Sequence, residues 1–477
     1  MSGTENVVPL LINGADYYPE KTFDVVSPVT GKVIHQCGSA SVADAGAAVD
    51  AAADAFRAWR KTKPKERRDI FFKAAEILEK RHDEIVKIAS AETGGTPFWC
   101  SRGLTRSAEY IRDIGARISA VVGTFPAVED SKSSAITLRE PYGVILSIVP
   151  WNAPFTLGIR AIASPVAVGN TVVLKATELA PLTVRHLVTA FEEAGLPKGV
   201  MNFIAHEPAA AAAITSALIT NTHIRKINFT GSTNVGRIIG RLAGENLKPV
   251  VLELGGKAPA IVWEDADLDL AADSCARGAF TNSGQICMST ERILVHKAVK
   301  TEFAEKLKVA INKIFPSEGD AMILINEAGV KRNKALVADA TAKGAEVLHG
   351  DVNTEEISHT RLRPIVVDKV TSDMDIYNTE SFGPTVSLYE IETEEEALRI
   401  ANDTEYGLTS AVFTEDLRRG LRFAREIEAG AVHINSPTTH DEPALPHGGF
   451  KSSGFGKFNS AAGLEEWVWL KNITFKN

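Results

Sequence analysis

The sequence predicts an α/β protein built on a parallel sheet with helices on both faces. Three observations carry that expectation. Short continuous apolar runs recur between about 140 and 257, each the size of a strand buried on both sides. Segments of roughly 10 to 20 residues with helical start and stop signals separate them. Strand and helix then alternate, and the crossover this requires is the one a parallel sheet supplies.

Taken in order, the alanine-rich stretch from Ala43 to Ala58 runs into Trp59 and reads as a helix, as does Ala209 to Ala213, on high helix propensity. Tyr142 to Pro150 is the first buried strand, followed by a helical pattern to about Val168. Thr171 to Lys175 is the second strand. A helix follows with Thr177 as its N-cap, Glu178 in its first turn, and Gly195 and Pro197 past its end. Ile224 to Thr230 forms a third strand, and Gly231-Ser232 opens a helix whose Val235, Ile238, Ile239 and Leu242 share one face. Val250 to Leu254 is the fourth, ended by Gly255-Gly256. Beyond it a helix from about Leu268 to Phe280 leads through a polar loop into the strand Arg292 to His296. Near the end, Trp467 to Phe475 alternates like an edge strand able to pair across subunits.

Composition sets the frame. The chain has 477 residues, 44% hydrophobic and 23% charged, which at roughly 150 residues per domain predicts two or three domains. Its 60 acidic side chains exceed 52 Lys plus Arg, a net charge of −8, and no basic stripe for nucleic acid is expected. No apolar run approaches the roughly 18 residues of a membrane span. The opening Met1-Ser-Gly-Thr-Glu-Asn lacks a basic region followed by an apolar one, so no secretion signal is expected. Four cysteines, at 37, 100, 275 and 287, are too few for a disulfide framework in so long a chain. A soluble, reduced, cytoplasmic protein is expected.

In open parallel sheets, ligands collect beyond the carboxyl ends of the strands. Those ends carry Trp151-Asn152, Lys175, Gly231-Ser232 and Glu253. Phe229 to Gly236 reads as strand, tight turn and helix N-terminus, where free N–H groups favour an anion; an ordinary helix cap has the same look. Glu178, three residues past Lys175, is placed to accept both hydroxyls of a ribose, or else simply to face a helix dipole. Glu253 interrupts an apolar strand, so burial should raise its pKa toward general-base duty, unless an unseen Lys or Arg pairs with it. Cys287 lies on a glycine-containing polar loop and is the best candidate nucleophile of the four thiols. Neither a G-x-G-x-x-G fingerprint, a phosphate loop nor a His-Glu-x-x-His pair occurs.

Together these segments resemble the aldehyde dehydrogenase superfamily along nearly the whole chain. The carrying motifs are Pro150-Trp-Asn-Ala-Pro154, Lys175-Ala-Thr-Glu178, Phe229-Thr-Gly-Ser-Thr233, Leu252-Glu-Leu-Gly-Gly-Lys257, Gly284-Gln-Ile-Cys287, Glu380-Ser-Phe-Gly-Pro384, Asn402 with Tyr406-Gly-Leu408, and Pro446-His-Gly-Gly-Phe-Lys451. The resemblance implies that Cys287 is the nucleophile, that the Asn152 amide and the Cys287 N–H form an oxyanion hole, and that Glu253 activates the hydrolytic water. It implies an NAD cofactor in preference to NADP and no metal. The implied cofactor contacts are Ile148, Trp151, Lys175, Glu178, Gly231, Ser232, Val235, Glu380 and Phe382. It also implies a Rossmann-like cofactor domain from 1–122 and 142–256, a catalytic domain from 257–455, and a bridging β-segment from 123–141 and 463–477, in a homodimer or homotetramer.

The closest look is to the branch that acts on benzaldehyde-type substrates such as salicylaldehyde and vanillin. Arg160, eight residues beyond Asn152, is expected beside the substrate, either touching a ring hydroxyl or fixing its helix by a salt bridge. Trp99, Phe155, Ile286 and Met288 are expected to supply apolar wall. At His447 the family usually has Phe, so a more polar wall is expected there, or a plain replacement of one aromatic by another. The loop Ala205-His-Glu-Pro lacks glycines that many relatives carry. A broad aliphatic or semialdehyde dehydrogenase is the alternative. A cofactor-binding homologue without activity is a more distant one, because Cys287, Glu253 and Asn152 are all present.

Overall fold

The computed structural model describes residues 6–316, 320–354 and 356–477. Residues 1–5, on which most of the reading of the chain's start rests, lie outside the described residues. The main elements are two mainly parallel sheets and a two-stranded ribbon, with a three-stranded sheet near the start of the chain and two short two-stranded pairs besides.

The first sheet has eight strands, ordered Gly454–Phe455, Val250–Glu253, Ile224–Thr230, Val144–Ile148, Thr171–Lys175, Met201–Ile204, Leu10–Ile12 and Ala15–Tyr17. Its five central strands are parallel; the outer ones are antiparallel. The Val144 and Thr171 strands are buried along their whole length. That is why they read as unbroken apolar runs and not as alternating ones. From the Val144 strand the chain steps outward to Thr171 and Met201, then returns to place Ile224 on the opposite side. The order therefore reverses between the Val144 and Ile224 strands, which opens a crevice at their carboxyl ends.

The second sheet has seven strands between Ala258 and Ile434, parallel except for Glu346–His349 at one edge. Helix Leu268–Phe280 packs on it and delivers the chain to the Cys287 loop. The ribbon pairs Ser133–Pro141 with Val468–Lys476 over nine residues each. The segment following the second sheet does not stay with it, because Gly454–Phe455 joins the edge of the first sheet beside Val250–Glu253. Among the described residues, no helix is long and apolar enough to cross a membrane.

Two local expectations need correcting. The helix after Lys175 does not begin at Thr177: it spans Pro181–Glu193 with Ala180 as N-cap. Pro181, with φ preset and no N–H to satisfy, is the better start. Thr177 instead closes a turn by accepting from the Leu179 N–H at 3.2 Å, which leaves Glu178 outside the helix. In helix Thr233–Glu245 the buried line is Thr233, Gly236, Ile239 and Ala243, while Val235 and Ile238 are exposed. Small residues face the sheet because there is no room for more: a Cβ on Gly236 would lie 2.4 Å from Leu254.

Candidate active site

Parallel register sets the strand ends side by side. Thr230 is opposite Glu253, Phe229 opposite Ile148, and Ile148 opposite Lys175. The residues singled out at four separate strand ends thus form one row. In front of part of this row lies a cavity of about 330 Å³. Its wall includes Trp151, Asn152, Gly231, Ser232, Glu253, Cys287, Glu380 and Phe382.

At one end of this cavity is helix Thr233–Glu245. Ser232 caps it, its hydroxyl accepting from the Val235 N–H at 3.5 Å. The Gly231 N–H is not free for an anion, because it donates to the Glu253 carbonyl at 3.1 Å. The rings of Trp151 and Phe382 meet edge-to-face at 5.9 Å. Glu380 accepts from the Gly256 N–H at 2.9 Å. Burial, and then the nearby Glu291, push the Glu380 carboxyl up to about 7.

Lys175, Glu178, Ile148 and Val235 do not line this cavity. Lys175 is buried at its strand end, and desolvation lowers its pKa against the pull of Glu178. Beside them lies His206, which the sequence reading passed over. It is 1% exposed, close enough for Lys175 and Glu178 to act on its charge, and its Nε2 is buried with no hydrogen-bond partner. Such an orphan is an open position for a ligand's polar group.

The other end holds the chemistry. Asn282, Ser283 and Gly284 all take left-handed backbone, with φ of 51°, 60° and 70°, so the Cys287 loop opens on a tight left-handed turn. Only glycine fits at 284, where a Cβ would lie 2.1 Å from the Gly383 carbonyl oxygen. Gln285 pins the turn by donating to the Asn282 and Ile323 carbonyls and accepting from the Ile325 N–H. Gly255-Gly256 lets the Glu253 strand close on this loop, since a Cβ at Gly256 would lie 2.2 Å from the Cys287 carbonyl oxygen.

Cys287 Sγ is 4.0 Å from Glu253 Oε1. Burial, then the carboxylates of Glu253 and Glu380, push the thiol well above its usual range. It therefore rests as the neutral thiol and needs a base as it attacks. The other three thiols are free and buried. Asn152 donates one amide N–H to the Gln285 carbonyl at 3.0 Å, and an amide NH2 has a second to give. Its carbonyl is held by Asn282 Nδ2 at 3.0 Å and Trp99 Nε1 at 3.4 Å.

Of the two expectations for Glu253, the paired carboxylate is the one found, with His447 as well as Arg160 for partners. It is 1% exposed, and burial does work to raise its pKa. His447 and Arg160 outweigh that effect and hold the carboxyl below its usual range. Oε1 accepts from His447 Nε2 at 2.7 Å, with Arg160 Nη1 at 3.9 Å. Oε2 is buried with no partner.

Arg160 and His447 line neither this cavity nor a second, smaller one, so neither is the pocket wall that was expected. Arg160 is 3% exposed. It is bound to Asp441, to the Tyr110 hydroxyl at 3.1 Å and to Asn459 Oδ1 at 3.0 Å. Asp441 lies 281 residues away in sequence, and no local signal marks it as a partner. The second cavity, of about 50 Å³, is walled by Trp99, Phe155, Arg102, Arg106 and their neighbours. Ile286 and Met288 line neither cavity; Ile286 is buried and the Met288 carbonyl accepts from Thr438.

A neutral thiol, a carboxylate and a spare amide N–H converge at a crevice on the switch point of a parallel sheet. That arrangement suits an enzyme that holds its ligand at the strand ends and attacks with a cysteine. Known proteins agree. The aldehyde dehydrogenase family profile matches residues 17–473. Vanillin dehydrogenase of Pseudomonas sp. (strain HR199 / DSM 7063) is 44% identical over 98% of each chain. Salicylaldehyde dehydrogenase of Pseudomonas sp. (strain C18) is 38% identical over 98% of each. The crystal structure of a salicylaldehyde dehydrogenase from Pseudomonas putida G7, complexed with salicylaldehyde, matches at TM-score 0.94 and 36% identity over 99% of each chain. The chain belongs to the aldehyde dehydrogenase family. It is an enzyme of aldehyde oxidation that works with a nicotinamide cofactor.

Proposed function

We propose that the chain oxidises aromatic aldehydes to carboxylic acids with NAD, through a covalent intermediate on Cys287. The observation that carries this reading is the placement of Cys287 Sγ on the cavity wall, 4.0 Å from Glu253 and beside the spare Asn152 N–H. The sulfur adds to the carbonyl carbon and gives up its proton to Glu253 as the C–S bond forms. The carbonyl oxygen takes the displaced electron pair and is met by Asn152 Nδ2–H and the Cys287 N–H, donors that act on charge present only after addition. When bound, a nicotinamide dinucleotide would supply the acceptor for the hydride that leaves the tetrahedral carbon. Loss of hydride from the tetrahedral carbon leaves a thioester, and Glu253 releases the thiol proton to solvent. Glu253 then takes a proton from water as the water oxygen bonds to the acyl carbon, the C–S bond breaks, and the departing sulfur takes that proton back from Glu253 as the thiol.

The residues present fit that cofactor. Glu380 is a buried acceptor suited to ribose hydroxyls, and Trp151 and Phe382 offer flat apolar surface. Ser232 heads a helix N-terminus suited to a pyrophosphate. Lys175, Glu178 and Val235 would hold the adenosine end, with Ile148 beneath. Glu178 favours NAD, because a carboxylate at the ribose repels a 2′-phosphate. Glu178→Gln should narrow the NAD-over-NADP ratio of kcat/KM by about tenfold, as removal of one repulsive charge does. An unchanged ratio would take Glu178 out of cofactor selection.

For the substrate, Trp99 and Phe155 wall the smaller cavity, Trp99 reaches the Asn152 backbone carbonyl at 3.4 Å, and aromatic rings offer a ring substrate offset and edge-to-face contacts. The names of the vanillin and salicylaldehyde relatives point the same way. The test is an aldehyde panel followed by NADH formation. Salicylaldehyde, vanillin and benzaldehyde should exceed hexanal and succinic semialdehyde in kcat/KM by on the order of tenfold or more; the reverse order would overturn the aromatic assignment. The setting is cytoplasmic, in keeping with four free thiols. A homodimer or homotetramer is the expected assembly, since Leu470, Ile473 and Phe475 stand exposed on the ribbon.

A further inference from the structure

His447 meets the base and lines neither cavity. His447 is 8% exposed against 1% for Glu253, and the two meet at 2.7 Å. A carboxylate only accepts, so His447 Nε2 carries the proton. The backbone of His447 is fixed in both directions by Phe458, whose carbonyl accepts from His447 N–H at 2.9 Å and whose N–H donates back at 2.7 Å. On the far side of the ring, Nδ1 faces Asp441 Oδ1 at 3.9 Å. Asp441 is itself held by Arg160, by the Tyr110 hydroxyl at 2.8 Å and by Asn459 Nδ2 at 3.1 Å. The imidazole therefore has one orientation available, between two carboxylates.

We propose that His447 is a positioning residue for the hydrolytic base: its Nε2–H fixes Oε1 of Glu253 beside Cys287 and leaves Oε2 free for the proton of the attacking water. This rests on the reading of Glu253 as that base. The arrangement accounts for a feature otherwise costly, since Glu253 Oε2 is a buried carboxylate oxygen with no partner on the wall of the cavity. Phe at 447 would fill similar space but donate nothing, so burial would push the Glu253 proton affinity upward with only Arg160 opposing it.

The charged and titratable groups around the pair come from every neighbouring element. Arg160 lies on the helix Pro154–Ala167, and Tyr110 and Arg106 on Pro97–Arg117. His433 on the strand Ala431–Ile434 feels both His447 and Asp441. Cys287 faces Glu253 from its loop. Among the described residues, apart from the Cys287 thiol at 4.0 Å, which is the reacting group, none of the others donates to Glu253 within hydrogen-bond distance, so the loss of His447 has no ready substitute.

The experiment measures thioester hydrolysis across pH by rapid mixing with NAD and benzaldehyde, for the wild type, His447→Phe, His447→Ala, His447→Gln and Glu253→Gln. Glu253→Gln should lose steady turnover and, because Glu253 also takes the Cys287 proton, slow the burst of NADH; steady turnover intact would overturn the base assignment itself. With that established, the Phe and Ala variants should move the acid limb of hydrolysis to higher pH. Near neutral pH the loss should be on the order of tenfold, with most of it recovered by about pH 9. Gln, which keeps a donor at the same reach, should stay within about twofold of wild type throughout. An acid limb that does not move in whichever of the Phe and Ala variants folds, or one that moves as far in Gln, would overturn the positioning role while leaving Glu253 as the base.

Discussion

Cys287→Ala forms no NADH from any aldehyde yet still binds NAD, with turnover down by on the order of ten-thousandfold or more, as loss of a covalent nucleophile entails. The physical ground is selective exposure. Cys37, Cys100 and Cys275 are buried in the core, whereas Cys287 is part-exposed on the cavity wall with Glu253 4.0 Å away. No other thiol lines that cavity, and Cys100, on the smaller one, is buried. Cofactor binding should survive because the groups assigned to it sit on other strand ends and loops, and alanine at 287 removes one sulfur without disturbing the turn that Gln285 pins. Isothermal titration with NAD and NADH absorbance give the two readouts. Mass spectrometry of the wild type, quenched in turnover, should find the acyl group on the peptide that carries Cys287. Loss of NAD binding in parallel with activity would mean that the thiol is structural.

How far this was readable in the sequence follows from the range of the forces involved. The central strands showed because burial on both faces forces every residue to be apolar, a local pattern. Their carboxyl ends then named Asn152, Lys175, Ser232 and Glu253 together, and register places those ends in one row. The start of the helix after Lys175 was misplaced because Thr177 has the chemistry of a cap but spends it on a turn. The face of the Ser232-capped helix was misread because Gly236 and Ala243, not its large apolar residues, make the close contact. The state of Glu253 stayed open in the sequence between a raised base and a paired carboxylate. Burial was inferred from its strand, but its partners arrive from residues 160 and 447, and no periodicity reports a contact across 194 positions. The Asp441 that holds Arg160 was invisible for the same reason.

Arg160→Ala should destabilise the protein by about 3–5 kcal/mol near neutral pH, the cost of leaving a buried partner charge uncompensated. Arg160 is buried between Asp441, Tyr110, Asn459 and Glu253, with its guanidinium 5.2 Å from the Tyr110 ring centroid. Burial alone would raise Asp441, but Arg160 and then His447 hold it far below its usual range. In the wild type this depressed value stabilises the fold above the ordinary carboxylate range, and the gain is lost as pH falls through the folded value. Removing Arg160 reverses the sign. Burial of Asp441 is then opposed only by His447 and by the Tyr110 and Asn459 hydrogen bonds; its folded pKa should rise above the unfolded one, with the penalty greatest near neutral pH and relieved on acidification. The stability gap between Arg160→Ala and wild type should accordingly shrink as pH is lowered toward about 5. The double variant Arg160→Met with Asp441→Asn, which removes both charges and keeps volume, should recover much of the loss. Urea midpoints at two pH values measure both effects. A gap that is small, or that widens in acid, would show that the Asp441 charge does not need Arg160, and Arg160 would return to consideration as a group free to meet a substrate.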